Sequence, residues 1–322
     1  MTRLTRGALL SAIGAASTLP LVGTRAALGA PATLTVASSL EDDVVPVLYA
    51  QSAGIFAREN VAVKVQAVDS GAAAAAAVAG GAVDIAKSSM MALIGAHAHG
   101  VPIQLVAPGS YYTSAAPIAE LIVAKNSPIR SAKDFSGKIV AGAALKDVKA
   151  IATAAWIDQH GGDSRTVRFV EVPTSAIIPA LESGRIDAAT VLNPTLHDAL
   201  ASGKARILAP SFSAIANRWL ITAWFARTDA IARDGDVVQR FVRGVRDASV
   251  YANAHNAQMA GVLAPFLHQD PAELAKLPRS PLGTTLDPRE IQPVIEIAVK
   301  YGVIAQPFPA ADLLAPFARP PH

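Results

Sequence analysis

Residues 33–91 read TLTVASSLEDDVVPVLYAQSAGIFARENVAVKVQAVDSGAAAAAAVAGGAVDIAKSSMM, and the pattern of this stretch decides the fold class. Runs rich in β-branched residues alternate with longer segments that are typical of helices. The predicted strands are residues 34–37, 61–68 and 83–86, and the predicted helices between them are residues 46–58 and 72–79. This alternation indicates βαβ units, so the sequence predicts an α/β fold with a mostly parallel sheet.

A short turn of small polar residues follows each of these predicted strands. The carboxyl ends of parallel strands meet at one edge of a sheet, which is where open α/β sheets bind ligands. Each turn also opens a helix, whose first N–H groups lack helical partners and favour negative charge. We therefore predict that the turns contact a small polar or anionic ligand. The candidate ligand-binding residues are Ser38, Ser39, Leu40, Ser70, Gly71, Ser88 and Ser89.

These turns also have a purely structural interpretation. The hydroxyls that follow the first strand could satisfy their own backbone. Ser70 could be a plain N-cap of the alanine-rich helix, while Gly71 would let a ligand approach the backbone closely. Lys87 could add a point charge to an anion site. Such a lysine more often lies on the protein surface, and we expect Lys87 to do so.

Two motifs in the stretch connect it to a known family. Residues 46–59 follow the pattern P-x-x-x-A-x-x-x-GIFA-x-E, and residues 81–86 read GAVDIA. In this order they resemble the periplasmic solute-binding proteins of ABC transporters in the sulfonate, taurine, nitrate and thiamine-precursor (NMT1/THI5-like) group, and the resemblance extends to about residue 260. It implies a type II periplasmic binding protein fold, in which two lobes, each a mostly parallel sheet flanked by helices, enclose a ligand cleft.

The chain length and a repeated sequence motif favour two lobes. At 322 residues the chain is long for one core. GAVDIA at residues 81–86 and GRIDAA at residues 184–189 share the pattern G-x-(V/I)-D-x-A, 103 residues apart. Chance similarity is the alternative, which six positions leave open. The predicted organisation is a signal peptide at residues 1–30, lobe 1 at residues 31–115, lobe 2 at residues 116–220, and a return to lobe 1 at residues 221–322.

The N-terminal segment predicts export. Arg3 and Arg6 precede an apolar, small-residue-rich run, and small residues follow where a signal peptidase could cut. Removing residues 1–30 takes away three arginines and no acid, which leaves 25 basic and 25 acidic residues. This balance gives no basic stripe for nucleic acid. The predicted export agrees with the resemblance, which implies a periplasmic monomer whose partners are a small-molecule ligand and an inner-membrane ABC permease.

Four further residues are candidates for ligand contact near the second lobe and the crossings between lobes. Asp147 stands where relatives carry small residues that open a helix; it could cap that helix or face the cleft. Asn193 follows the strand predicted at residues 188–192. Tyr112 and Trp219 mark the outward and return crossings, where aromatic rings could contact the ligand or simply pack in the hinge.

The residue types present narrow the functional class. The chain has no cysteine, which excludes thiolate nucleophiles and cysteine metal sites. Its seven histidines form no recognisable ligand set, and no catalytic motif is present, so we expect no cofactor and no metal. The favoured function is solute capture for an importer. An enzyme on the same scaffold, of the pyrimidine-forming or desulfinase kind, is one alternative, and a ligand sensor for a membrane kinase is another.

Overall fold

The structure, a computed structural model, describes residues 30–39, 41–68, 71–142 and 146–319. Nearly all of the predicted signal peptide and the candidate residues Leu40 and Ser70 lie outside these ranges. The elements given below all belong to the unit that begins at Pro31. Within the described ranges, no helix combines the length and apolar character that crossing a bilayer requires.

Short strands alternate with helices along most of the described chain. The strands are β1 Ala32–Ser38, β2 Val61–Ala67, β3 Ile85–Ser89, β4 Ile103–Pro108, β5 Tyr111–Thr113, β6 Ala119–Ala124, β7 Ile139–Gly142, β8 Arg168–Glu171, β9 Ala188–Leu192, β10 Ala205–Ala209, β11 Arg218–Leu220 and β12 Thr222–Arg227. The α-helices are α1 Val45–Ser52, α2 Ile55–Arg58, α3 Gly71–Ala79, α4 Met90–Ala98, α5 Val148–Gln159, α6 Ile177–Glu182, α7 Thr195–Ala201, α8 Thr228–Ala254, α9 Met259–Leu267, α10 Pro271–Leu274 and α11 Pro288–Lys300.

Two five-stranded sheets share one plan. The first has the order β2-β1-β3-β12-β4, and the second, read from the same side, has the order β8-β7-β9-β6-β10. In each sheet the first three strands are parallel, and the fourth is antiparallel to both neighbours. The predicted fold class is therefore confirmed: two mostly parallel sheets flanked by helices.

The repeated G-x-(V/I)-D-x-A motif lies at the equivalent position in both sheets. Gly81 and Gly184 have positive φ values of 73° and 70° and end α3 and α6. The aspartate three residues later then bridges to a neighbouring parallel strand. Asp84 accepts the N–H of Thr35 at 2.8 Å, and Asp187 accepts the N–H of Ile139 at 2.8 Å. The repeated motif thus makes the same hydrogen bond in both sheets. In the first sheet it holds the start of β3 to β1, and in the second it holds the start of β9 to β7.

Two predicted boundaries in the opening stretch are wrong. The helix predicted over residues 46–58 is broken in two, because Gly54 takes a φ of 68° between α1 and α2. The strand predicted over residues 83–86 instead runs from Ile85 to Ser89. The reason is a long-range partner: β12 pairs antiparallel with β3 as far as Ser89, so the turn predicted after the strand is part of it.

The two crossing segments pair with each other. β5 and β11 form a two-stranded antiparallel ribbon in which Trp219 lies opposite Tyr112. Both side chains are fully buried, and together with Phe212 they form an aromatic cluster with ring centroids 5.0–5.9 Å apart. The C-terminal α11 contacts β11 and also packs on α4 and α5. The ribbon is therefore supported by packed elements on several sides.

Candidate functional site

The turn after β1 is held by its own hydrogen bonds. Ser38 is fully buried at the end of β1, and its carbonyl accepts the N–H of Val68 at 3.0 Å. Its hydroxyl donates to the carbonyl of Ser39 at 3.0 Å, and the Ser39 hydroxyl donates to Oε2 of Glu41 at 3.0 Å. Both hydroxyls thus have partners in the protein. This favours the structural interpretation for Ser38, while Ser39 is partly open to solvent.

The second and third turns meet face to face. A Cβ atom added at Gly71, the first residue of α3, would lie 2.3 Å from Oγ of Ser88 near the end of β3. Only glycine therefore fits at residue 71 without moving that hydroxyl. Ser88 is 2% exposed, and its Oγ has no hydrogen-bond partner among the described residues. Ser89, by contrast, is the N-cap of α4 and accepts the N–H of Ala92 at 3.3 Å.

Lys87 connects the first turn to the third, and the expectation that it lies on the surface is wrong. It is fully buried, because β3 is an inner strand of the sheet with β1 and β12 on either side. Its ammonium group pairs closely with the buried carboxylate of Asp43 and lies 3.2 Å from Oε2 of Glu41. Asp43 also accepts hydrogen bonds from the hydroxyls of Ser110 at 2.7 Å and Thr222.

The charge of Lys87 is already neutralised within this network. Burial opposes its ionisation, but the Asp43 and Glu41 carboxylates outweigh burial and raise the pKa of Lys87 above its usual value. Burial likewise opposes the ionisation of Asp43, yet Lys87 and the two hydroxyl donors hold the pKa of Asp43 below its usual value. Lys87 is thus a buried cation whose charge the protein's own carboxylates balance.

The candidates from the second sheet have local partners. Asp147 is the N-cap of α5 and accepts the N–H of Ala150 at 2.7 Å, which matches its capping interpretation. Neighbouring Lys146 donates to the carbonyl of Gly302 at 2.6 Å. Asn193, just after β9, donates its amide N–H to the carbonyl of Pro278 at 3.1 Å. Asn193 therefore joins the end of the second sheet to the chain segment that follows α10.

The two aromatic candidates belong to the hinge cluster. The Tyr112 hydroxyl lies 2.6 Å from Oγ of Ser213, and the Trp219 indole N–H donates to the carbonyl of Phe212 at 3.2 Å. Both rings are enclosed by protein, and their polar atoms are satisfied. Their burial favours hinge packing of the two alternatives, and ligand contact by these residues stays a prediction.

Several polar residues near the end of β1 were not among the site residues predicted from the sequence. Glu41, Asp42 and Asp43 form an acidic run directly after β1, and this run was the available signal. Arg279 left no local signal at all, because only the fold brings it next to Asp42. Within the described ranges, no group of three or more histidine, aspartate or glutamate side chains is placed to hold a metal ion.

Comparison with known proteins places the chain in a family. The family model described as NMT1/THI5 like matches residues 41–259. The chain belongs to the NMT1/THI5-like family. The match includes β2 to β12 but not β1, which ends at Ser38, or Ser39, which follows it. A search of curated proteins found no match.

Solved structures share the NMT1/THI5-like fold at low sequence identity. The periplasmic aliphatic sulphonate binding protein SsuA from Escherichia coli is 18% identical, with a TM-score of 0.73 over 88% of this chain and 92% of that one. The periplasmic nitrate-binding protein NrtA from Synechocystis PCC 6803 is 12% identical, with a TM-score of 0.69 over 85% and 82% of the two chains. A cysteine-to-serine mutant of DszB in complex with biphenyl-2-sulfinic acid is 15% identical, with a TM-score of 0.67 over 88% and 96%. These likenesses establish the fold.

Proposed function

We propose that this protein is the exported, periplasmic solute-binding component of an ABC importer. It would hold a small polar or anionic organic solute between two lobes and deliver it to a permease in the inner membrane. The lobes would comprise residues 31–115 with 221–322, and residues 116–220. Signal cleavage near residue 30 and a monomeric state complete the proposal. The names of SsuA and NrtA, both periplasmic binding proteins, support it.

One observation carries this proposal: strand-end turns converge in the first sheet, and the second sheet repeats the same strand order. Gly71 and Ser88 bring two turns into contact, and Glu41 and Lys87 bring in a further one. The buried Ser88 hydroxyl has no partner among the described residues, and a bound solute would satisfy it, since burying a polar group without a partner is costly. Two sheets with the same order present a pair of such edges, one for each lobe.

An enzyme on the same scaffold is the second candidate, and the DszB likeness is the observation that favours it. That structure is of a cysteine-to-serine mutant, and this chain has no cysteine at all. A desulfinase-like activity of the kind expected from the resemblance depends on a cysteine. We therefore propose binding without chemical conversion of the solute.

A thermal-shift screen and small-angle scattering test whether the protein binds a solute and closes on it. Purified protein is screened by thermal shift against sulfonates, carboxylates, nitrate and pyrimidines. A solute that binds the folded form should add about 2.7 kcal/mol of stability at a hundredfold excess over Kd. Small-angle scattering should show a more compact particle with that solute, because the solute favours the closed form.

The chemical fate of the solute separates the two candidate functions. After long incubation it should be recovered unchanged. Protein-dependent conversion of the solute would replace the importer proposal with an enzyme. The sensor alternative would be favoured by a different pair of results. The solute would make the particle more compact, and the gene for this protein would lie beside a membrane-kinase gene with no permease or ATPase gene nearby.

A further inference from the structure

The C-terminal helix α11 touches one helix from each sheet. It packs on α4, which follows β3 of the first sheet, and on α5, which follows β7 of the second sheet. Its buried residues share an apolar cluster with Leu93 and Ile94 of α4; they are Ile291, Val294, Ile295, Ile297 and Ala298. The chain itself crosses between the sheets at the β5–β11 ribbon. Helix α11 therefore adds a link between the sheets that does not run along the chain.

The segment that follows α11 is fastened to the first sheet. The centroid of the Phe308 ring lies 4.7 Å from that of His97 on α4. Further along, the N–H of Ala315 donates to the carbonyl of Leu105 in β4 at 2.9 Å. The α11 tip, defined as residues 301 and 302, lies between these contacts and the body of α11. The tip is thus held on the side of the first sheet.

From there the α11 tip makes hydrogen bonds at both ends of α5. The hydroxyl of Tyr301 donates to Oδ2 of Asp158, near the end of α5, at 2.7 Å. Lys146, just before α5, donates to the carbonyl of Gly302 at 2.6 Å. Gly302 has a positive φ of 67°, a conformation in which glycine commonly ends a helix. The two bonds tie the C-terminal segment to the helix that follows the first strands of the second sheet.

The acceptor of the first bond is fixed in place before Tyr301 reaches it. The N–H of Ser164 donates to Oδ1 of Asp158 at 2.7 Å, and the Ser164 hydroxyl donates to Oδ2 at 2.9 Å. Burial opposes the ionisation of Asp158, but the hydrogen bonds from Ser164 and Tyr301 hold the pKa of Asp158 below its usual value. Hydrogen bonds to an ionised acceptor are stronger than those between neutral groups. Both tip bonds involve side chains that water reaches, since Lys146 is exposed and Asp158 is half-buried.

We propose that the α11 tip is a latch between the two lobes: its bonds to Asp158 and Lys146 hold the lobes in the arrangement of this structure, and their release lets the second lobe rotate. The inference rests on the proposed function for its two moving lobes. Water replaces a broken, partly exposed hydrogen bond at small net cost. Separating α11 from α4 would instead expose buried apolar surface. Helix α11 therefore stays with the first lobe when the latch opens.

Spin-label distance measurements on the protein with no added solute test the latch. The sequence has no cysteine, so Ala57→Cys on α2 and Ala201→Cys on α7, both exposed positions, place one label on each lobe. Loss of a hydrogen bond to a charged group should change the ratio of latched to unlatched arrangements by about tenfold. Tyr301→Phe should therefore broaden or shift the distribution of label distances, and adding Lys146→Met should enlarge that change.

Two substitutions of the same kinds are matched controls. Tyr251→Phe and Lys276→Met each remove a polar contact that lies within residues 221–322, so neither should alter the label distances. An unchanged distribution in the Tyr301→Phe/Lys146→Met double variant overturns the inference, even where the melting temperature falls, because the bonds are then local ones within a rigid body. A change of equal size in the controls also overturns it. Circular dichroism checks that each variant is folded.

The distance measurement separates failure of the latch from failure of the proposed function. If no solute binds in the thermal-shift screen, the import role fails, whereas the label distances still decide the latch. If a solute binds and the double variant keeps the wild-type distances, the latch is overturned and the import role stands.

Discussion

At the scale of single residues, the ion pair between Lys87 on β3 and Asp43 in the turn after β1 buries two opposite charges. Moving both charges out of water is expensive, and the pair persists because the Ser110 and Thr222 hydroxyls satisfy the carboxylate as well. Such a pair fixes the loop after β1 against β3. The ion pair therefore fixes the positions of Glu41 and Asp42, which lie in the same loop.

Replacing Lys87 with Met should lower the free energy of unfolding by about 3–5 kcal/mol, because Asp43 would remain as an unpaired buried charge. Urea denaturation measures the change. Lys276→Met is the matched control: its partner Glu273 is exposed, so about 0–1 kcal/mol should be lost. Equal effects of the two substitutions would show that the buried pair has no special weight.

Asp42 should give the protein a distinctive pH dependence. Its raised pKa means that the folded protein holds a proton that the unfolded chain has already lost between pH 3.8 and about 7. Stability contributed by this group is therefore present at low pH and is lost as the pH rises through that window. Burial is the main cause of the raised pKa of Asp42; the Asp43 and Glu41 charges raise the pKa further, and Arg279 and Lys87 lower it.

Asp42→Asn should remove this slope and raise stability at pH 8 by about 1–2 kcal/mol. This is less than the full shift would give at about 1.4 kcal/mol per pKa unit, because the side chain is partly open to solvent. Denaturation between pH 4 and pH 8 measures the slope of the variant against that of the wild type. A slope that persists in Asp42→Asn would mean that another group titrates.

At the scale of elements, the contact between α3 and β3 depends on the missing side chain of Gly71. Asp84 ties the start of β3 to β1, while Gly71 and Ser88 fix the distance between the end of β3 and the first turn of α3. Helix propensity would favour alanine at residue 71, so close approach to Ser88 is the reason that glycine stands there.

Gly71→Ala alone should cost about 1–3 kcal/mol, because its Cβ would lie 2.3 Å from Ser88 Oγ. In a Ser88→Ala background the hydroxyl is gone, and the nearest remaining atoms are the Cβ of residue 88 at 3.5 Å and the N of Ser89 at 3.7 Å. The cost should then vanish. A double-mutant cycle by chemical denaturation measures this coupling, and a coupling energy near zero would contradict the steric account.

At the scale of the whole molecule, the β5–β11 ribbon and its aromatic cluster lie at the two chain crossings between the sheets. The Tyr112 hydroxyl is bound to Ser213, and Trp219 is bound to the carbonyl of Phe212, so the cluster is fixed by polar as well as apolar contacts. These residues hold the crossing strands, and their side chains are buried.

Tyr112→Phe should therefore lower stability by about 1 kcal/mol, through loss of its buried hydrogen bond, without changing solute affinity. Thermal unfolding and calorimetry on the same sample separate the two effects. Tyr251→Phe, which loses an exposed bond to Gln258, should cost less. A tenfold change in Kd for Tyr112→Phe would return this residue to the ligand site.

Much of the architecture could be predicted from the sequence by itself. The alternation of strands and helices, the repeated G-x-(V/I)-D-x-A motif and the family resemblance predicted two mostly parallel sheets, because these signals are local. Periodicity reports which face of a segment is apolar, and a glycine–aspartate motif reports a helix end followed by a strand. Gly71 could likewise be singled out from its place before six alanines.

Only the tertiary structure decided what the polar residues do. Lys87 is buried because Asp43 and Glu41, 44 and 46 residues earlier, reach it across the sheet. Ser89 is a cap at the end of a longer strand because β12, far along the chain, pairs with β3. Arg279 meets Asp42 through the return of the C-terminal segment. Charge pairing, burial and strand ends depend on neighbours that are distant in sequence, and local patterns carry no information about them.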